Sequence, residues 1–91
     1  MSEPSFPKQE HKDYLLQRVK RQLGKRVGLQ FVDIIDHTDT RTYRVGVERP
    51  PSHRIHRLPI PFQVIERCID SGKDDELLQE LDVQLDKEFG D

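Results

Sequence analysis

Two periods organise the apolar residues of this chain, one helical and one extended. From Lys12 to Leu23 the apolar positions Leu15, Leu16, Val19 and Leu23 follow a single helical stripe, while Lys12, Arg18, Lys20 and Arg21 lie off it or on its flanks. This spacing predicts an amphipathic first helix. Gly24 follows directly, where a helix C-cap favours a residue free to adopt positive φ.

Beyond Gly24 the period shortens. Val27, Leu29 and Phe31 alternate with Gly28 and Gln30, and Val32, Ile34 and Ile35 then make the apolar run nearly continuous. The pattern predicts a strand covered on one face at its start and on both near its end, with a bulge where the phase changes between Phe31 and Val32. Asp36 to Thr40 is polar and turn-prone. Tyr43, Val45 and Val47 alternate with Arg44, Gly46 and Glu48, completing an antiparallel hairpin with a loop of about five residues. Pro50 and Pro51 interrupt the ladder, because proline has no amide hydrogen to donate. From His53 to Ile60 the chain is extended again, either as a third, edge strand or as an irregular crossover.

The helical period then returns. Pro61 suits the first position of a helix, and Phe62, Ile65 and Ile69, flanked by Val64 and Cys68, form a short amphipathic segment closed by Gly72. Asp74, Asp75 and Glu76 place negative charge at the start of a last helix whose Leu77, Leu78, Leu81, Leu85 and Phe89 repeat at helical spacing before Gly90. The predicted fold is α+β in the order α-β-β-(β)-α-α: a small antiparallel sheet of two or three strands with three helices mainly on one face. A two-stranded sheet is weak alone, so helix packing or homodimerisation must supply the remaining burial.

Composition limits this fold to one core. The 91 residues are expected to form a flexible arm over 1–8 and a single domain over 9–91. Nine Leu, seven Val, six Ile, four Phe and two Tyr, with no Ala and no Trp, make nearly every apolar position large. Burying each contributes about 1.5–3 kcal/mol, which offsets chain entropy only narrowly in so short a chain. Cys68 is the single cysteine, so no intrachain disulfide forms. The N-terminal stretch carries Glu3, Pro4 and Pro7 where a secretory signal has a basic patch and an apolar run, and no later stretch approaches membrane-spanning length. A cytoplasmic protein without a membrane partner is expected.

Charge is unevenly placed. Through Pro61 there are twelve Lys and Arg against seven Asp and Glu; from Phe62 onward there are three against ten. Such asymmetry either defines interaction surfaces or neutralises itself across the fold, and self-neutralisation is the default reading. The segment 41–61 concentrates Arg41, Arg44, Arg49, His53, Arg54, His56 and Arg57 against one acid, Glu48. Arginine forks bind phosphate and carboxylate bidentately. Strand alternation, however, sends Arg44 away from the core that Tyr43 and Val45 build, and puts Arg54 and His56 on the face opposite His53 and Arg57.

Other constellations are weaker. His53 and His56 have a spacing that converges on a helix but diverges on a strand, so no metal is expected. Asp36, His37 and Asp39, or Ser52 beside His53, suggest a general base or a nucleophile, but a loop tip and a Pro-Pro-Ser turn provide no water-excluding cleft. Cys68 sits on an apolar flank and reads as a buried, inert thiol.

The resulting expectation is a non-enzymatic binding module without cofactor that associates with another protein through charge-segregated surfaces. The candidate surface residues are the basic Arg41, Arg44, Arg54, His56 and Arg57 and the acidic Glu80, Asp82 and Asp86. Nucleic-acid binding through segment 41–61 is the alternative, and a small His/Arg-type hydrolase is the third reading.

Overall fold

A computed structural model describes residues 9–90 and orders them as α1 (Gln9–Leu23), β1 (Gln30–His37), β2 (Thr42–Glu48), β3 (His56–Pro61), α2 (Phe62–Ser71) and α3 (Asp75–Phe89). The three strands form one antiparallel sheet in the order β1-β2-β3. The expected α+β architecture is therefore present, and the segment left open between strand and crossover is a true third strand. The arm expected over residues 1–8 lies outside the described residues, as does Asp91.

The central strand decides where the core sits. Tyr43, Val45 and Val47 on one face of β2 are each 0 % exposed, and their partners Ile60, Leu58 and His56 on β3 continue that face. All three helices cover it: Leu15, Val19 and Leu23 from α1, Phe62, Ile65 and Cys68 from α2, and Leu77, Leu81, Leu85 and Phe89 from α3 complete one apolar cluster. One polar pair enters it, the Tyr43 hydroxyl lying 3.3 Å from Nδ1 of buried His11.

The turns differ from expectation where backbone hydrogen bonds dictate otherwise. Gly24 does not supply the left-handed residue after α1; its N–H still bonds Lys20 in helical fashion, and the positive φ falls on Gly28 instead. Gly28 breaks the extended run, so β1 begins at Gln30 and Val27 stands in solvent. The bulge is where the phase change put it, since the register jumps between Phe31 and Asp33 and leaves Val32 as the extra residue. Ile35 is 44 % exposed, so β1 is not covered on both faces near its end: the described residues form no layer on the other side.

Arg41 closes the hairpin with φ 54, in the left-handed region, and its carbonyl accepts the Phe62 N–H at 2.9 Å. That bond satisfies one of the free amides at the start of α2, so Pro61 becomes the N-cap and last strand residue rather than the first helical one. Gly72 ends α2 with φ 76 and an N–H bond to the Cys68 carbonyl, as its position suggested.

Of the α3 leucines, Leu77 and Leu81 at 0 % and Leu85 at 1 % exposure are interior, and Leu78 is half-buried. Each interior leucine contributes about 2–5 kcal/mol relative to a cavity, comparable in sum to the whole stability of a small domain, about 5–15 kcal/mol. Truncation after Gly72 is therefore expected to abolish cooperative unfolding in a thermal melt; a truncated chain that melts like the full one would show α3 to be an appendage.

Candidate functional site

The helices lie on one side of the sheet, and among the described residues nothing covers the other. Because strand residues alternate sides, the register sets out its rungs: His37 beside Thr42 beside Pro61, then Ile35 beside Arg44 beside Pro59, then Asp33 beside Gly46 beside Arg57. This outer face carries the candidate site.

Its most ordered feature is an ion pair that crosses the central strand. Arg57 on β3 donates from Nη1 to the Asp33 carboxylate on β1, with Nη2 3.5 Å from the second oxygen. Gly46 lies beneath. A Cβ there would stand 2.6 Å from both Arg57 Nη1 and Asp33 Oδ1, so only a residue without a side chain leaves the path clear. The bridge in turn covers Gly46, which is buried although it belongs to the bare face.

Arg44 is in the opposite situation. It is half-buried between Ile35 and Pro59, forms no ion pair among the described residues, and its Nε is buried with no acceptor. Asp33, the nearest acid by register on β1, is already held by Arg57. The outer face thus presents one compensated and one uncompensated arginine beside exposed Ile35.

The remaining expected surface residues scatter. Arg41 caps the hairpin at one end of the sheet, and Arg54 is exposed in the 49–55 connection at the other. His56 points to the helical side, where Nδ1 meets Glu88 at 3.0 Å and the ring lies 4.4 Å from Phe89. The acids of α3 face the helical layer's surface and not the arginines of segment 41–61. Asp82 accepts from Gln22 at 2.7 Å and lies 3.3 Å from Arg26, Asp86 accepts from Arg26 at 2.8 Å, and Glu80 accepts from Gln84 at 2.8 Å. Arg18 and Arg21 both approach Asp74, at 3.2 and 3.6 Å. Much of the charge asymmetry is therefore neutralised between α1 and α3. The Asp86 and Asp82 carboxylates hold the Arg26 guanidinium above its ordinary pKa, and a hydrogen bond from Lys12 at 2.6 Å holds Asp36 below its own.

The catalytic constellations are not brought together. Asp36 turns inward to Lys12, whereas His37, the next residue along, pairs with Thr40 Oγ1 at 3.3 Å. Ser52 Oγ accepts the Arg54 N–H rather than meeting His53. Burial raises the Cys68 thiol pKa, as fits an inert side chain. Among the described residues no cluster of three or more His, Cys, Asp and Glu side chains could hold a metal ion, and no helix is long and apolar enough to cross a membrane.

Asp33, Gly46 and Phe89 escaped the sequence reading as surface determinants. A glycine inside an otherwise alternating strand was the available signal for Gly46, since it marks close approach by another group. Comparison of the chain with models of known protein families, with curated proteins and with solved structures gives no match.

Two measurements check these assignments. Replacing glycine by alanine in a strand gains about 0.5–1 kcal/mol of backbone entropy, and a half-exposed ion pair is worth about 0–1 kcal/mol. Gly46→Ala is accordingly expected to be near neutral alone but stabilising in an Arg57→Gln background; equal effects in both would mean that the bridge does not constrain residue 46. Asp82→Ala should cost about 1 kcal/mol or more in chemical denaturation, because Gln22 is 1 % exposed and would lose its carboxylate partner. Glu80→Ala, at a half-buried site whose partner Gln84 keeps its bond to the Pro59 carbonyl, should cost less than Asp82→Ala.

Proposed function

We propose that this chain is a small binding module that associates with another protein through the outer face of its sheet, with Arg44 as the central contact. The observation that carries the reading is a half-buried arginine, without an ion pair among the described residues and with its Nε buried without an acceptor, beside an exposed isoleucine on the outer sheet face. Arginine and large apolar groups in that combination are what interface centres are enriched in. The partner group that suits Arg44 is a carboxylate, since a planar fork accepts one bidentately. Of the charges expected to form the surface, Arg44 lies on the outer face and Arg41 at the hairpin end, while Asp82 and Asp86 are paired with Arg26 on the helical side.

Size sets the kind of complex. Three strands spaced about 4.8 Å apart and rising about 3.3 Å per residue give a face of roughly 14 by 20 Å, or about 300 Å². A stable protein contact covers about 800 Å² per partner, so this face supports a small, transient association unless Arg41 and Arg54 extend it at the two ends.

The test is crosslinked affinity capture with the tagged protein, with and without nuclease, using the parent, Arg44→Glu and Ile35→Asp. Expected is a protein partner that survives nuclease and disappears with either substitution while the melting temperature stays within a few degrees. Capture undiminished by Arg44→Glu would overturn the assignment of this face. Loss on nuclease treatment would move the reading to nucleic acid.

A further inference from the structure

At the end of the sheet where β2 leaves and β3 enters lies a cavity of about 460 Å³, between the 49–55 connection and the last turn of α3. It is separate from the outer face and is a depression open to solvent rather than an enclosed pocket. Arg49, Arg54, His56 and Lys87 all line it. Phe89 orders two of them. Arg49 Nη2 donates to the Phe89 carbonyl at 3.3 Å with its guanidinium 5.3 Å from the ring centroid, and the His56 ring lies 4.4 Å from that same ring. Arg54 and Lys87 are exposed and form no ion pair among the described residues. Among the described residues one carboxylate lines it, Glu88, which is taken by His56 at 3.0 Å.

Part of this charge has a structural explanation, because cations stabilise the negative end of a helix dipole and Arg49 caps the last carbonyl of α3. That explanation covers Arg49 and Lys87. It leaves Arg54, which comes from a different segment and lines the same space. Three full cations around one cavity repel one another, and Glu88, already paired with His56, offsets only part of that charge. A neutral donor is also at hand: Ser52 Oγ accepts the Arg54 N–H at 3.2 Å, which leaves its own proton free to donate into the cavity it lines.

We infer that this cavity binds a phosphate monoester dianion, held by the guanidinium forks of Arg49 and Arg54, the point charge of Lys87 and the Ser52 hydroxyl. The group arrives either on a phosphorylated side chain of a protein or on a small phosphate ester; both present the same dianion. A nucleic-acid backbone fits less well. The Phe89 ring is 9 % exposed and lies against Arg49 and His56, so it offers no stacking platform for a base.

The test uses the full chain in amide-resolved NMR titrations, with sodium phosphate, a short phosphoserine peptide, its unphosphorylated form and a short single-stranded oligonucleotide as probes, at ionic strength matched with sodium chloride. Saturable shifts confined to residues 49–56 and 87–90 are expected with both phosphate probes and not with the unphosphorylated peptide. A peptide that binds more tightly than inorganic phosphate assigns the site to a phosphorylated protein; equal binding assigns it to a free ester. The variant Arg54→Gln with Lys87→Gln removes exposed side chains without ion pairs and should fold like the parent. It should weaken phosphate binding by about tenfold for each cation lost. Shifts reproduced by chloride alone, an unchanged affinity in the double variant, or tighter binding of the oligonucleotide than of the phosphopeptide would each overturn the inference.

Discussion

One-sided burial of the central strand is the constraint from which the rest of the structure follows. Tyr43, Val45 and Val47 are fully interior. Their alternation forces Arg44 and Glu48 to the other side and leaves Gly46 between two strands whose side chains need to meet. A one-residue slip of β2 would bury Arg44 and expose Tyr43, at a cost of several kcal/mol for the buried charge alone, so this register has no competitor. The outer face and its uncompensated arginine are thus consequences of the core and not an independent feature of the surface.

The helical layer solves a different problem. α1 and the turn after it carry Arg18, Arg21 and Arg26, α3 and its N-cap carry Asp74, Asp82 and Asp86, and these charges meet along the seam between the two helices. Exposed pairs of this kind contribute little each. Their greater effect is to set the pairing of the two helices, because a shift of α3 by one turn would leave Gln22 and Arg26 without partners. The same seam accounts for most of the charge asymmetry between the two parts of the chain, which leaves the unpaired arginines of the sheet side as the residue of that asymmetry.

How much of this was legible in the sequence depended on whether a local pattern decided the matter. The helices, the hairpin and the bulge at Val32 follow from period and phase, which the chain carries within a few residues. Gly24 and Pro61 were displaced by one turn or one residue because backbone hydrogen bonds decide such ends: the helical bond from Gly24 to Lys20, and the bond from Phe62 to the carbonyl of Arg41, a residue far away in the chain. Coverage of β1 on both faces failed for a related reason, since a continuous apolar run does not say whether a second layer exists. Of the surface residues, the outward direction of Arg44 was legible from alternation. Its isolation was not, because it depends on Arg57 capturing Asp33 across Gly46, a contact made only by the folded register.

The edges of the sheet bear on how such a domain meets a partner. At β3, Pro59 and Pro61 have no N–H to offer, and Gln84 from α3 donates to the Pro59 carbonyl at 2.6 Å, so a neighbouring strand finds no continuous ladder. At β1 the extra residue Val32 interrupts the regular spacing of donors and acceptors and increases the local twist. Strand addition, the commonest way for a small sheet to recruit an extended peptide, is therefore opposed at both edges. What the sheet leaves available is its outer face, where the proposed contact would be made by side chains and not by backbone. Recognition through side chains of mixed character, one arginine among apolar neighbours, favours charge complementarity over area as the source of specificity. That is the kind of surface suited to partners that bind and leave, and it accords with a domain whose own core has little surplus to spend on deformation.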